Sequence, residues 1–256
     1  MTLICHLRVH FRPILMTCLL VVFFGATNTL GTPLYESLWR NTLNQNTKTI
    51  KRDNIQTTGV HYSALQQSQT FQAMKRAIQH IDISQLKTRN EQIAFWINMY
   101  NIAAVNLVLD YYPIKNLDRI ATKQQFYTKH ALVIAGKPYS LNQIRDILHP
   151  FQDKTLLFTL STGALSSPRL LREPYTASRL PSQIDSNLRH FFQEKYLGAR
   201  LEKGVQYLYI SALFKDHPTL FQSDTQIKSF ISLFLHGDTT RYQVFFLPFN
   251  RSLNDY

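Results

Sequence analysis

The chain has 256 residues, with 28 Lys and Arg against 16 Asp and Glu for a formal charge of +12, and two cysteines. That length holds one domain whose core is large enough to need no disulfide staple. Both thiols, Cys5 and Cys18, lie in an N-terminal segment laid out like a secretory signal, so the mature chain excludes cysteine nucleophiles, disulfides and thiolate metal sites.

In that segment Arg8 and Arg12 precede an apolar stretch over 14–26, followed by small and polar residues through Gly31. Basic, then apolar, then small is the signal-peptide order, and it predicts a signal over residues 1–31 cut after Gly31, with Thr29 three places from the cut. The destination is then periplasmic or extracellular. The apolar stretch is shorter than the ~20 residues a spanning helix needs, and an uncleaved membrane anchor is the alternative. Removing Arg8 and Arg12, with no acidic residue before Glu36, lowers the charge by two, from +12 to +10. Such an excess favours weak electrostatic contact with anionic envelope surfaces. The basic residues are spread out and not interleaved with aromatics, so no specific nucleic-acid binding is expected. A solvated surface that keeps the protein soluble is the simpler account of the charge. The sequence names no other partner.

In chain order, 34–43 reads as a helix and 44–58 as a polar loop, so that 32–59 precede a main domain over 60–256. Residues 62–81 read as one helix, with Leu65, Phe71, Met74, Ala77 and Ile78 near the helical period, and 82–87 as a turn. A long helix over 90–110 ends ahead of Pro113, because the residue before a proline avoids the helical region. A short helix over 116–121 follows. The apolar run 131–135, closed by Gly136, Lys137 and Pro138, reads as one arm of a hairpin. Ser140 caps a helix to Leu148, its hydroxyl accepting a free first-turn amide. Residues 155–160 read as a buried strand leading into the Ser/Thr/Gly segment 161–167 and a stop at Pro168. Helices over 182–196 and 225–235 and strands over 205–210 and 242–247 complete the chain. Helices dominate and strands are short. The expected class is α+β, a predominantly helical single domain with a small sheet of short strands.

The long helix carries asparagines inside an apolar run. A buried amide left unpaired costs roughly 1–3 kcal/mol, so each needs a partner. Asn98 and Asn101, three apart, share a face that Trp96, Met99 and Tyr100 do not, while Asn106 is off that face and reads as exposed. Amides donate and accept at once, which suits the pair to bracing backbone that no sheet covers, here the 161–168 turn and the C-terminal 252–254 stretch. The same pair could instead line a polar pocket.

Phe95-Trp96-Ile97-Asn98-Met99-Tyr100-Asn101, then Tyr112-Pro113, Ser140-Leu141, the stretch from Asp153 to Pro168, and Leu247-Pro248-Phe249-Asn250-Arg251-Ser252-Leu253-Asn254 together resemble the domain-of-unknown-function family 547 over about residues 60–255. The resemblance implies a His in the segment before the turn, then Asn-Cys, then a second Cys before the Pro. Here those places hold Leu157, Ser161, Thr162 and Ser167, and Phe249, Asn250 and Arg251 stand where the family has Tyr-Asp-Trp. If the family works through a Cys–His pair, this chain lacks that activity.

Could hydroxyls replace the thiols? Ser161, Thr162, Ser166 and Ser167 lie in a turn, but an unassisted hydroxyl is a weak nucleophile and needs a base. His130, His149, His190 and His217 are the imidazoles available, and 163–167 is not a Gly-x-Ser-x-Gly elbow. The mature histidines, His61, His80 and His236 besides these, show no metal-ligand spacing, so neither metal nor cofactor is expected. The candidate polar cluster is Asn98, Asn101, Ser161, Thr162, Ser166, Ser167, Ser252 and Asn254, a structural frame or a vestigial site. Two function classes follow. One is an exported, non-catalytic protein binding an envelope component or partner. The other is an exported hydrolase or transferase with Ser/Thr–His in place of Cys–His.

Overall fold

A computed structural model describes residues 31–120, 123–235 and 237–256, so the expected signal lies outside the described residues except for Gly31. At the centre is the long helix α4 (Arg89–Leu109), the fourth in chain order. Thr88 and Glu91 form a reciprocal capping box, the Thr88 hydroxyl accepting the Glu91 amide at 3.2 Å and the Glu91 carboxylate accepting the Thr88 amide at 2.7 Å. From Ile93 onward α4 is buried on almost every side, as a helix apolar all round must be. It is long and apolar enough to cross a membrane, yet its residues are buried inside the domain.

Before α4 come α1 (Gly31–Asn46), strands β1 (Thr47–Arg52) and β2 (Ile55–Val60), α2 (Tyr62–Gln66) and α3 (Gln69–Gln79). Helix α1 packs on α3, burying Tyr35, Trp39 and Leu43 in the same core as Phe71, Met74 and Ile78. The polar loop expected over 44–58 is instead the β1–β2 hairpin, with Arg52 opposite Ile55. Asp53 and Asn54 both take positive φ, 51° and 62°, as a two-residue hairpin turn of matching twist requires. The helix expected over 62–81 is two, because Ser68 accepts the Phe71 amide at 3.2 Å and caps α3.

After α4 come a 3-10 turn (Leu117–Arg119), α5 (Lys123–Thr128), the antiparallel pair β3 (His130–Ile134) and β4 (Lys137–Ser140), and α6 (Leu141–Leu148). Ser140 caps α6 as expected, paired with Gln143 in a second capping box. The strand expected over 155–160 is a 3-10 helix (Lys154–Thr159) whose cap, Asp153, accepts the Thr155 amide at 2.9 Å. A short buried apolar run does not by itself distinguish strand from helix. Here Phe158 decides, sitting in a cage of Phe191, Phe192, Phe214, Phe221 and Phe230 with ring centroids 5.1–6.4 Å away. Helix α7 (Leu180–Gln193), strands β5 (Ala199–Glu202) and β6 (Tyr207–Ile210), helices α8 (Leu213–Asp216) and α9 (Asp224–Ile231), and strand β7 (Gln243–Phe246) follow. Strand β6 lies between antiparallel β5 and parallel β7. The fold is therefore α+β and helix-rich, its short strands arranged among the described residues in three small sheets.

Asn106 is not exposed. It is half-buried, giving its amide to the Ala131 carbonyl at 2.9 Å and accepting Lys75 Nζ at 2.9 Å, which ties α4 to β3 and α3.

Candidate functional site

Residues 160–168 have almost no regular structure and are buried throughout, a combination that would strand main-chain groups unless each found a partner. Asn101 supplies the first two, donating to the Thr159 carbonyl at 3.1 Å and accepting the Ser161 amide at 2.8 Å. Ser167 Oγ donates to the Ala164 carbonyl at 2.8 Å and receives the Thr162 amide at 3.4 Å. The chain terminus supplies the rest. Leu165 and Ser166 amides donate to the Ser252 and Asn250 carbonyls at 2.9 and 3.1 Å, and the Asn254 amide donates to the Gly163 carbonyl at 2.8 Å. Ser166 Oγ accepts the Asn250 amide at 2.8 Å. Gly163, at φ +84°, could not carry a side chain, since a Cβ there would lie 2.8 Å from the Tyr62 hydroxyl.

Asn98 has a different task from the one its spacing implies. It donates to the Tyr175 carbonyl at 2.8 Å and accepts the Tyr175 amide at 2.9 Å, so it holds the coil after the turn and neither the turn nor the terminus. Its amide also reaches the buried Tyr35 hydroxyl at 3.3 Å, which burial, and then Glu36, keeps protonated. The terminus is held by Asn254 itself, which donates to the Thr58 carbonyl at 2.7 Å and accepts from Tyr62 at 2.9 Å. Ser252 contributes its backbone, not its hydroxyl, pairing with Asn116 and Leu165. Sequence reasoning passed over Gln183 and Asn187 on α7, which brace the same coil through the Pro174 carbonyl and the Tyr175 hydroxyl, both at 2.8 Å. Their signal was two amides on the apolar face of an amphipathic helix.

Beside the turn lies a cleft of about 530 Å³ between α6, the 149–157 segment and the 216–226 segment. Arg145, Leu157, Leu160 and His217 close its inner end and also line a second chamber of about 30 Å³, enough for roughly one water. Thr162 and Ser167, two of the three hydroxyl side chains at positions where the resemblance implies Asn and thiols, open onto that chamber with Tyr100, Tyr127 and Phe249. Leu157 stands where the resemblance implies His, and its side chain is a wall of both spaces. Burial pushes the Tyr100 hydroxyl well above the usual phenol range, with Tyr127 adding to it and Arg145 opposing. Tyr127 is raised too, by burial against the pull of Arg251. Both phenols therefore remain donors at neutral pH.

Of the imidazoles, His217 lines both spaces and His149 lines the outer cleft. His190 lies away, its ring meeting the Gln56 carbonyl at 2.9 Å, and burial followed by Arg169 lowers its pKa. His130 stands at the exposed start of β3, and His236 lies outside the described residues. Among the described residues no group of three or more His, Cys, Asp or Glu is placed to hold a metal ion.

The architecture defines a helix-rich α+β domain in which an irregular buried turn, braced by amides and the chain terminus, forms the end wall of a cleft. The sequence model of a family described as a protein of unknown function, DUF547, matches residues 83–192, and the chain carries that domain. The match takes in α4, the turn and α7 nearly to its end, while the 250–255 stretch that completes the turn falls outside it. No curated protein matches the chain, nor does any solved structure.

Proposed function

We propose that this is an exported, non-catalytic DUF547-like protein whose cleft binds an envelope component or partner. Its main support is the state of the turn hydroxyls. Ser167 gives its one proton to the Ala164 carbonyl, and Ser166 accepts from the Asn250 backbone, so both act as surrogate backbone partners for a segment without a sheet. A nucleophile needs its proton within reach of a base, and Leu157 offers none at the position where the resemblance implies His. Treatment with a fluorophosphonate probe is expected to leave the protein unlabelled by mass. Labelling of the wild type that disappears in Thr162→Val or Ser167→Ala would overturn the non-catalytic reading.

A second reading keeps the enzyme. Thr162 accepts the Ala164 amide at 3.5 Å, its own proton has no acceptor among the described residues, and it shares the small chamber with His217. That pair would give an exported hydrolase or transferase a hydroxyl and a base together, and the Thr162→Val arm of the labelling experiment reads it directly.

Export rests on the basic, apolar, small order of residues 1–31. The protein recovered from the exported fraction is expected to have a mass beginning at Thr32. A full-length mass confined to membranes points instead to the uncleaved anchor.

A further inference from the structure

The inner end of the cleft is rich in hydrogen-bond donors and poor in acceptors to match them. Arg145, half-buried on α6, has no hydrogen-bond or ion-pair partner among the described residues, although it lies close enough to Tyr100 and Tyr127 to act on both electrostatically. Tyr100, 3% exposed, lines the chamber, and its hydroxyl makes no hydrogen bond among the described residues. Behind Tyr127, Arg251 pairs through Nε with Asp118 while its Nη2 is buried without a partner. Arg251 Nη2 lines neither space, whereas Arg145 and Tyr100 do and stand where a bound group can meet them. Bulk water reaching the open cleft can serve Arg145, but an oxyanion meets the guanidinium with charge-assisted bonds and the phenol through the one water the chamber holds.

The acidic groups are distributed accordingly. Asp146, Asp153 and Asp216 line only the outer cleft, whereas the small chamber is lined by no carboxylate. Asp153 is occupied in capping the 3-10 helix, accepting the Thr155 amide at 2.9 Å, and Asp216 also has a partner. Between the two ends the wall is apolar, formed by Leu148, Leu156, Leu157, Leu160 and Leu220. A cation at the inner end and a leucine wall along the length, with Lys154 and the three aspartates outside the small chamber, suit an amphiphile, since a ligand pocket draws affinity from apolar lining and orientation from a few placed polar groups.

We propose that the cleft binds an organic anion with an apolar body, its carboxylate or phosphate head seated on Arg145 at the inner end and reaching Tyr100 through one water in the small chamber, and its chain lying along the leucine wall. The assignment rests on the binding reading of the cleft and names its ligand class. Leu157 is then a specificity residue, supplying wall where an imidazole would have supplied polarity.

Titration calorimetry with octanoate, octyl phosphate and 1-octanol tests the head group, with acetate and inorganic phosphate as bodiless controls. Octanoate or octyl phosphate is expected to bind at least about tenfold more tightly than 1-octanol, the size of one hydrogen bond to a charged group. The stronger of the two identifies the head. Arg145→Gln is expected to remove about that factor for the anions and leave 1-octanol unchanged, and Tyr100→Phe, which keeps the ring in place, to weaken the anions severalfold. Thermal melts of both variants show that they are folded. Equal binding of 1-octanol, or an Arg145→Gln affinity equal to wild type, overturns the anion assignment while leaving a binding cleft. Acetate or phosphate binding as tightly as the octyl compounds overturns the apolar body. Absence of binding by every probe overturns the ligand class, whereas failure of the non-catalytic reading is read separately from fluorophosphonate labelling.

Discussion

Deleting residues 250–256 is expected to abolish cooperative unfolding, leaving a chain with no transition in urea. The terminus is not an appendage. Its backbone accepts from the Val60, Leu117, Leu165 and Ser166 amides and donates to the Lys115 and Gly163 carbonyls, joining the β1–β2 hairpin, the segment after α4 and the buried turn. Leu253, 1% exposed, fills the core between them. Each buried group left without a partner costs about 1–3 kcal/mol, and the deletion strands several at once, against a total stability of about 5–15 kcal/mol. The point version is milder. Asn254→Leu keeps the backbone contacts and strands the Thr58 carbonyl and the Tyr62 hydroxyl, for an expected loss of about 2–4 kcal/mol in denaturant unfolding at unchanged slope. A deletion variant that melts at the wild-type midpoint would show that the terminus merely lies on a domain complete without it.

What was legible in the sequence was local. The Ser140 cap, the apolar run of α4 and the Gly136 turn are all set by residues within a few positions of one another, and each stands where expected, while the equally local Thr88–Glu91 capping box was passed over. The β1–β2 hairpin was missed because its outer strand is mostly exposed and reads as loop, and because its inner strand buries Thr57 and Thr58 where apolar residues were sought. Its cue was the Asp53-Asn54 pair between alternating segments. Phe158 was placed in a strand because its partners come from the far half of the chain. The buried asparagines announced that they needed partners but not which ones. Asn98 and Asn101 sit one turn apart on one helix face, yet the first holds Tyr175 and the second Thr159 and Ser161, a distinction only the path of the coil decides. The cleft was less legible still. Arg145 sits on an ordinary amphipathic helix and His217 in a polar turn, and no spacing links them to Tyr100.

That difference between the two asparagines separates stability from ligand binding. Asn101→Leu strands the Thr159 carbonyl and Ser161 amide, and Asn98→Leu strands both backbone groups of Tyr175, so each is expected to cost about 2–4 kcal/mol in urea unfolding. Leu matches Asn in size, and the loss is therefore one of hydrogen bonding more than packing. Wild-type unfolding midpoints in both variants would remove the bracing role altogether. In the folded protein their consequences diverge. Asn101 fixes the point where the 3-10 helix turns into the buried loop, and Leu157, Leu160 and Thr162 on either side of that point line the inner chamber. Asn98 fixes Tyr175, which lines neither space. Under conditions where both variants are folded, octanoate or octyl phosphate affinity is expected to fall severalfold in Asn101→Leu and to stay at the wild-type value in Asn98→Leu. Equal losses in the two would mean that the cleft responds to global loosening of the domain and not to the loop that Asn101 holds.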